Sequence, residues 1–238
     1  MKYIARFELK DKIIKSDYRG TFVSYFKNAI YNYMDGHFYK ELYDSGSKNK
    51  DLCWSVRLNN PQFDGEVVYL EGTDIDMTIK TENQQIAHIY FSAILNMKNI
   101  PFNIGNNNQI TLKSIRLVRD PDIVGDFGVF KILSPICIRL HNRETNKDKY
   151  LAYGDEEFEN EFKNKIKEDM GFFDEEVDSL IFNFSNLKKI IVPIYGITIP
   201  VTIGTFFVQG DNKVLNHIKN NGIGSRRNSG MGLIESLF

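Results

Sequence analysis

The sequence predicts an α+β protein built as two tandem ferredoxin-like (βαββαβ) domains. Three observations carry this reading. Apolar residues alternate between a period of two and a period near 3.6, in the order strand, helix, strands, helix, strand. The same order runs once through the first half and again through the second, with no repeat of the residues themselves. Between the halves, residues 119–128 (RDPDIVGDFG) gather Pro121, Gly125 and Gly128, which interrupt regular structure. The expected domains are residues 1–120 and residues 125–238, each long enough for a core of its own.

In the first half, residues 2–9 alternate as a strand, with Tyr3, Ala5, Phe7 and Leu9 on one face. Asp17 is placed to cap a helix with an apolar stripe of Phe22, Val23, Phe26 and Ile30, reaching to Met34. A short helical piece at 38–43 precedes a polar loop at 45–50. Residues 52–58, 67–70 and 75–79 read as strands, and 84–97 as a helix through Ile86, Ile89, Tyr90, Ala93, Ile94 and Met97. Strand alternation returns at 110–117.

In the second half, residues 129–140 are strand-rich, and 156–167 form a helix with Phe158, Phe162 and Ile166 inward. Strands are expected at 180–184, 189–194, 197–203 and 205–208. Asp211 caps a helix over 213–220, and a last strand begins near Met231. Residues 190–209 are uncharged and long enough to span a bilayer. Pro193, Gly196, Pro200, Gly204 and many β-branched residues favour paired buried strands instead.

At 42% hydrophobic and 26% charged, the chain is neither disordered nor fibrous. Its net charge of −1 hides a split. Residues 155–178 place eleven carboxylates against three lysines, a net of −8 that leaves +7 for the rest. One face can therefore hold a polyanion. Cys53 and Cys137 stand far apart, and four scattered histidines show no metal-ligand spacing, so neither a disulfide framework, a metal nor another cofactor is expected. The opening MKYIARFELK is charged at positions 2, 6 and 8, with no signal-peptide core. A cytoplasmic protein without membrane partners is expected.

The most informative segment is residues 222–232, GIGSRRNSGMG. Gly222, Gly224, Gly230 and Gly232 bracket Ser225, Arg226, Arg227, Asn228 and Ser229, and Lys219 lies just upstream. Glycines let backbone N–H groups approach an oxyanion, and arginines add bidentate phosphate contacts. The order of helix, loop and strand is the reverse of a dinucleotide loop, and no Gly-Lys-Ser/Thr follows, so a nucleotide-binding enzyme is disfavoured. Two readings stay open on spacing alone: a nucleic-acid backbone cradle, or a glycine-rich hairpin with solvated arginines.

These residues resemble a family. Gly-Ile-Gly, five residues and Gly-Met-Gly is similar to the signature of the CRISPR-associated repeat-processing endoribonucleases, family six of the repeat-associated RNA-binding superfamily. Phe130 to Ile136 (FKILSPI) resembles the family's central strand ending in Ser-Pro. Tyr150-Leu151 with Asp155 and Phe158 resembles its next segment, and Gly204, Phe206 and Gly210 resemble the strand before its loop. Asn28-Ala29-Ile30 and Trp54-Ser55-Val56 fall where the family has its first helix and second strand. The resemblance implies two ferredoxin-like domains, binding of CRISPR repeat RNA, and metal-independent cutting of precursor transcripts into guide RNAs. It implies RNA contact by Gly222, Gly224, Ser225, Arg226, Arg227, Asn228, Gly230, Gly232 and Lys219.

Cutting without a metal requires a base for the 2′-hydroxyl, an acid for the leaving 5′-oxygen and a cation for the phosphorane. The family's histidine, in a Leu-His-Asp/Glu setting, is replaced here by Leu42-Tyr43-Asp44, with Lys48 and Lys50 following. His37 is the nearby substitute, and His37, Tyr43 and Lys50 are the candidate catalytic set. Tyr31 and Tyr33 suit base stacking or the core. His88, His141 and His217 read as fold, surface or RNA-facing positions. The alternative function is a non-cutting RNA-binding subunit of a CRISPR effector complex, with effector subunits as partners. Both readings are compatible with a homodimer.

Overall fold

A computed structural model describes residues 1–44, 51–171 and 173–237. Its first half contains β1 (Lys2–Leu9), β2 (Ile13–Lys15), α1 (Tyr18–Tyr31), β3 (Cys53–Arg57), β4 (Gln62–Asp64), β5 (Val67–Tyr69), β6 (Asp74–Lys80), α2 (Gln84–Asn96), β7 (Pro101–Gly105) and β8 (Asn108–Val118). The main sheet is antiparallel in the order β3-β6-β1-β8-β7. Strands β1, β3, β6 and β8 with α1 and α2 make the βαββαβ unit, and β7 adds an edge strand through its hairpin with β8. A separate three-stranded sheet, β2-β5-β4, adds to the expected strand at 67–70 two partners, β2 and β4, too short to announce themselves by alternation.

The pleat drives this half together. Tyr3, Ala5, Phe7 and Leu9 are buried on one face of β1, as their spacing predicts. That face is covered by Phe22, Tyr25, Phe26, Ala29 and Ile30 of α1 and by Ala87, Ile89, Tyr90, Ala93 and Ile94 of α2. Edge-on aromatic contacts lock the layers: Phe7 meets Tyr25 at 5.2 Å, and Phe26 meets Trp54 at 5.4 Å and Tyr90 at 5.7 Å. Two local expectations are corrected. Asp17 precedes α1, but its side chain makes no capping bond, and Met34 lies beyond the helix on an exposed turn.

The second half contains β9 (Phe127–Ile132), β10 (Ile138–Asn142), β11 (Lys147–Leu151), α3 (Phe158–Met170), α4 (Asp174–Asp178), β12 (Ile181–Ile194), β13 (Ile197–Gln209), α5 (Asn212–Asn221) and β14 (Ile234–Ser236). Its antiparallel sheet runs β12-β13-β9-β14, the same strand order as the first unit, with β10 and β11 paired outside it. Phe158, Phe162 and Ile166 of α3 face the sheet, where Phe162 meets Phe206 at 5.8 Å. The four short strands expected over 180–208 are two long ones. The apparent break is a bulge between Asn183 and Asn186, set against Gly204 at φ +124°, where a Cβ would lie 2.2 Å from Asn186 O. The uncharged residues 190–209 thus sit in a hairpin, turned by Tyr195 (φ +50°) and Gly196 (φ +78°). Among the described residues, no helix is long and apolar enough to cross a membrane.

Candidate nucleic-acid interface

The glycine segment leaves α5 at Gly222 and returns into β14. Asp211 caps α5 as expected, its Oδ1 accepting from the amide of Lys213 at 2.8 Å. The final strand starts at Ile234 rather than near Met231, because residues 231–233 are still buried in the loop's return. The Ile223 amide donates to Gly232 O at 2.9 Å and closes the loop's neck. A Cβ at Gly232, whose φ is +73°, would lie 2.1 Å from Ile223 O, so the neck closes only on glycine. Across the loop, Trp54 packs so near Gly230 that a Cβ there would lie 2.7 Å from the indole, whose Nε1 donates to Asn228 O at 3.0 Å.

The loop is therefore wedged between the two halves rather than open as an anion nest. The amides of Gly222, Ser225, Gly230 and Gly232 donate to Ile218, Cys137, Arg227 and Pro135 carbonyls. The glycines serve close packing: Gly222, Gly224, Gly230 and Gly232 are all buried, and a Cβ at Gly224 would meet Cys137 O at 2.6 Å. Two cations are engaged within the protein beside them. Arg227, only 4% exposed, donates to Asp169 Oδ1 at 2.8 Å and Asn221 O at 3.1 Å. Lys219, 1% exposed, donates to Pro121 O at 2.7 Å and Asp120 O at 3.3 Å. The physical reason is the same for both: main-chain carbonyls and a carboxylate enclosed between packed units need donors. Ser225, Arg226 and Asn228 keep accessible surface.

Lys80 completes this buried junction, with Nζ 3.0 Å from Asp120 Oδ2 and 3.3 Å from the carbonyls of Lys219 and Ile234. Nearby, Lys2 pairs with Glu235. Burial pushes the Asp120 carboxyl up, but Lys80, then Lys219 and Lys2, pull it further, to below its ordinary value of 3.8. A depressed folded value means that the stabilisation is complete above the unfolded value and is lost as pH falls through the folded one. Thermal unfolding scanned from about pH 5 to about pH 3 should show a falling Tm, with a shallower fall in Asp120→Asn. An undiminished slope in that variant would remove Asp120 from the account.

The N-terminal candidates lie beyond α1. His37 is exposed on the turn after α1, its ring edge-on to Phe38 at 4.9 Å. Tyr43 is half-buried, its hydroxyl 2.9 Å from that of Tyr90. Burial, then the Tyr90 contact, pushes its phenol far above the ordinary value, so it stays protonated at neutral pH. Its ring lies 5.4 Å from Tyr39, which meets the exposed Tyr31 at 5.6 Å, and Lys27 Nζ stands 5.6 Å over it. Tyr43, on the short helix Lys40–Asp44, therefore belongs to a tyrosine cluster with Lys27, while His37 stands on the turn before that helix, facing Phe38. Lys48 and Lys50 lie outside the described residues. Among the described residues, no group of three histidine, cysteine or acidic side chains is placed to hold a metal.

Sequence reasoning missed Lys27, Tyr39 and Tyr195. Lys27–Tyr31 and Tyr39–Tyr43 are four apart, a spacing that places side chains on one helical face and was available as a signal. Tyr195 was not findable that way. It rides the hairpin turn, comes near Gly20 of α1, and donates its hydroxyl to Ser229 Oγ at 2.9 Å. His217, for which RNA contact was open, packs its Nδ1 3.2 Å from Glu82 with Nε2 buried.

Comparison with known proteins places this geometry. A family model described as CRISPR associated protein Cas6, C-terminal, matches residues 119–236. No curated protein matches the chain. Solved structures match over its whole length. A RAMP protein binding different RNA substrates superposes with a TM-score of 0.83 at 18% identity, over 100% of both chains. A Cas6-related gene product from Pyrococcus furiosus gives 0.83 at 19%, over 100% of this chain and 98% of that one. A Cas6 product complex gives 0.70 at 12%, over 100% of both. At these identities the structures show a shared fold. With the Cas6 C-terminal match spanning the glycine loop, and the tandem βαββαβ fold continuing through the N-terminal half, the chain belongs to the Cas6 family of CRISPR-associated repeat-processing proteins.

Proposed function

We propose that this protein binds CRISPR repeat RNA and cuts precursor transcripts into guide RNAs through attack by the RNA's own 2′-hydroxyl. The observation that carries the reading is the Cas6 C-terminal match over residues 119–236. The RNA is held at the accessible part of the glycine loop, by Ser225, Arg226 and Asn228, since Arg227 and Lys219 are engaged within the protein. The chemistry belongs to the turn after α1. His37, an exposed imidazole with a ring nitrogen able to accept a proton, takes the 2′-proton. Tyr43 orients the phosphate through a hydrogen bond from its hydroxyl, and Lys50 offsets charge on the phosphorane.

Incubation with repeat RNA in EDTA should give a product with a 2′,3′-cyclic phosphate and another with a 5′-hydroxyl. His37→Ala should slow cutting roughly 10²-fold with binding preserved. Cutting abolished by EDTA would point to a metal-activated water, and His37→Ala at the normal rate would remove histidine from the chemistry. The second reading, a non-cutting RNA-binding subunit, is favoured by Tyr43 standing in the family's histidine setting with its hydroxyl directed at Tyr90. Tight binding of repeat RNA with no product would decide for it.

A further inference from the structure

The small sheet of β10 and β11 carries a charged cluster that extends from Arg226 of the glycine loop to residues with no part in the readings above. Arg139 and His141 on β10 pair across the sheet with Tyr150 and Asp148 on β11, so all four side chains share one face. Asp148 Oδ2 lies 2.8 Å from Arg139 Nε, and its Oδ1 lies 2.8 Å from His141 Nδ1. Tyr150 donates to Asp148 Oδ2 at 3.2 Å and accepts from Arg226 Nη2 at 2.6 Å. Arg226 reaches in from the glycine loop, which the Ser225 amide ties to Cys137 O at 2.7 Å, just ahead of β10. Arg226 holds a left-handed backbone (φ +61°), a conformation that L side chains adopt only under constraint.

The charges in this cluster do not balance. Two guanidiniums converge on one carboxylate, a net of +1 before His141 ionises. Hydrogen bonding from Arg139, and then from His141, holds the Asp148 carboxyl at about 2, so it is fully ionised at neutral pH. Arg226 Nε is buried and makes no hydrogen bond. His141, with Nδ1 turned to Asp148, directs its other ring nitrogen away from the carboxylate, and the exposed Arg143 and Lys147 sit on the same hairpin. The cluster thus has more donors, in a planar and oriented arrangement, than its own acceptors use. A phosphodiester offers the missing acceptors.

We propose that this face is a dedicated subsite for one phosphate of the RNA backbone. Arg139 and Arg226 are its contacts and His141 a further donor, while Asp148 is the protein's own acceptor with which the phosphate competes and Tyr150 bridges Arg226 to it. The proposal rests on the reading that the chain binds repeat RNA, and it places a specific part of that RNA against the β10–β11 sheet.

The test is a salt titration of repeat-RNA binding by the full chain. Arg139→Ala with Arg226→Ala should weaken binding about tenfold near 0.1 M salt and flatten the logarithmic salt slope by about 0.9, the release from one phosphate. Asp148→Asn keeps the side chain's shape and raises the local charge by one, so it should bind about threefold more tightly. A cluster that merely supports the fold would lose affinity in that variant, and such a loss would overturn the proposal. Wild-type binding with unchanged affinity and slope in the double variant would also overturn it, and would leave the face to an acidic protein segment. A wild-type chain with no affinity for repeat RNA would instead take down the functional reading itself.

Discussion

A repeat RNA carrying a single 2′-deoxy nucleotide immediately 5′ of the scissile phosphate is expected to bind as tightly as the all-ribose RNA and to stay uncut. The two halves of that expectation have separate causes. Affinity comes chiefly from phosphate contacts, and removing one 2′-hydroxyl leaves every phosphate in place. Cutting requires a nucleophile in line with the leaving 5′-oxygen, and in the proposed mechanism the missing hydroxyl is that nucleophile. The loss should be complete within detection, larger than any side-chain truncation, because a lost base or acid costs only about 10²–10⁴-fold. Product from the deoxy substrate would require water as nucleophile and would sink the mechanism, whatever the histidine variants show.

The largest expected effect on stability comes from Arg227. Truncation to alanine removes the cation 2.8 Å from Asp169 and the donor to Asn221 O, at a position 4% exposed. Burial already pushes the Asp169 carboxyl up, and Arg227 is the strongest influence holding it down. Removing one partner of a buried pair costs about 3–5 kcal/mol, because the other charge stays behind. Urea unfolding of Arg227→Ala should show that loss. Arg227→Met combined with Asp169→Leu should recover most of it, since neither charge then remains. In the fraction that stays folded, the salt slope of RNA binding should match the wild type, because Arg227 faces protein. A variant as stable as the wild type, with a flattened slope, would restore Arg227 to the RNA.

The sequence was most legible where information is local. The alternation of Tyr3, Ala5, Phe7 and Leu9, the stripe of Phe158, Phe162 and Ile166, and the cap at Asp211 each follow from neighbours a few residues apart, and each is where periodicity places it. The glycine segment was legible as a special place but not as a buried one. Nothing near Arg227 foretells that Asp169, 58 residues away, waits for it, and the Lys80–Lys219 contact joins residues 139 apart. The Asp148 cluster escaped for a related reason: in a two-stranded hairpin, His141 and Asp148 are partners only once the register is known.

The packing of the glycine loop on Trp54 also bears on how the chain is made. Strand β3 is an outer strand of its sheet, and the loop that seats against its Trp54 lies 174 residues further along. During synthesis at about 5–20 residues per second, the Trp54 side of that strand waits roughly 9–35 s for its cover. An uncovered strand edge beside a large indole is a template for pairing with another chain. The nascent protein therefore passes through an interval of self-association risk that ends only when the glycine loop emerges and seats on Trp54, and truncation before Gly222 would make that interval permanent.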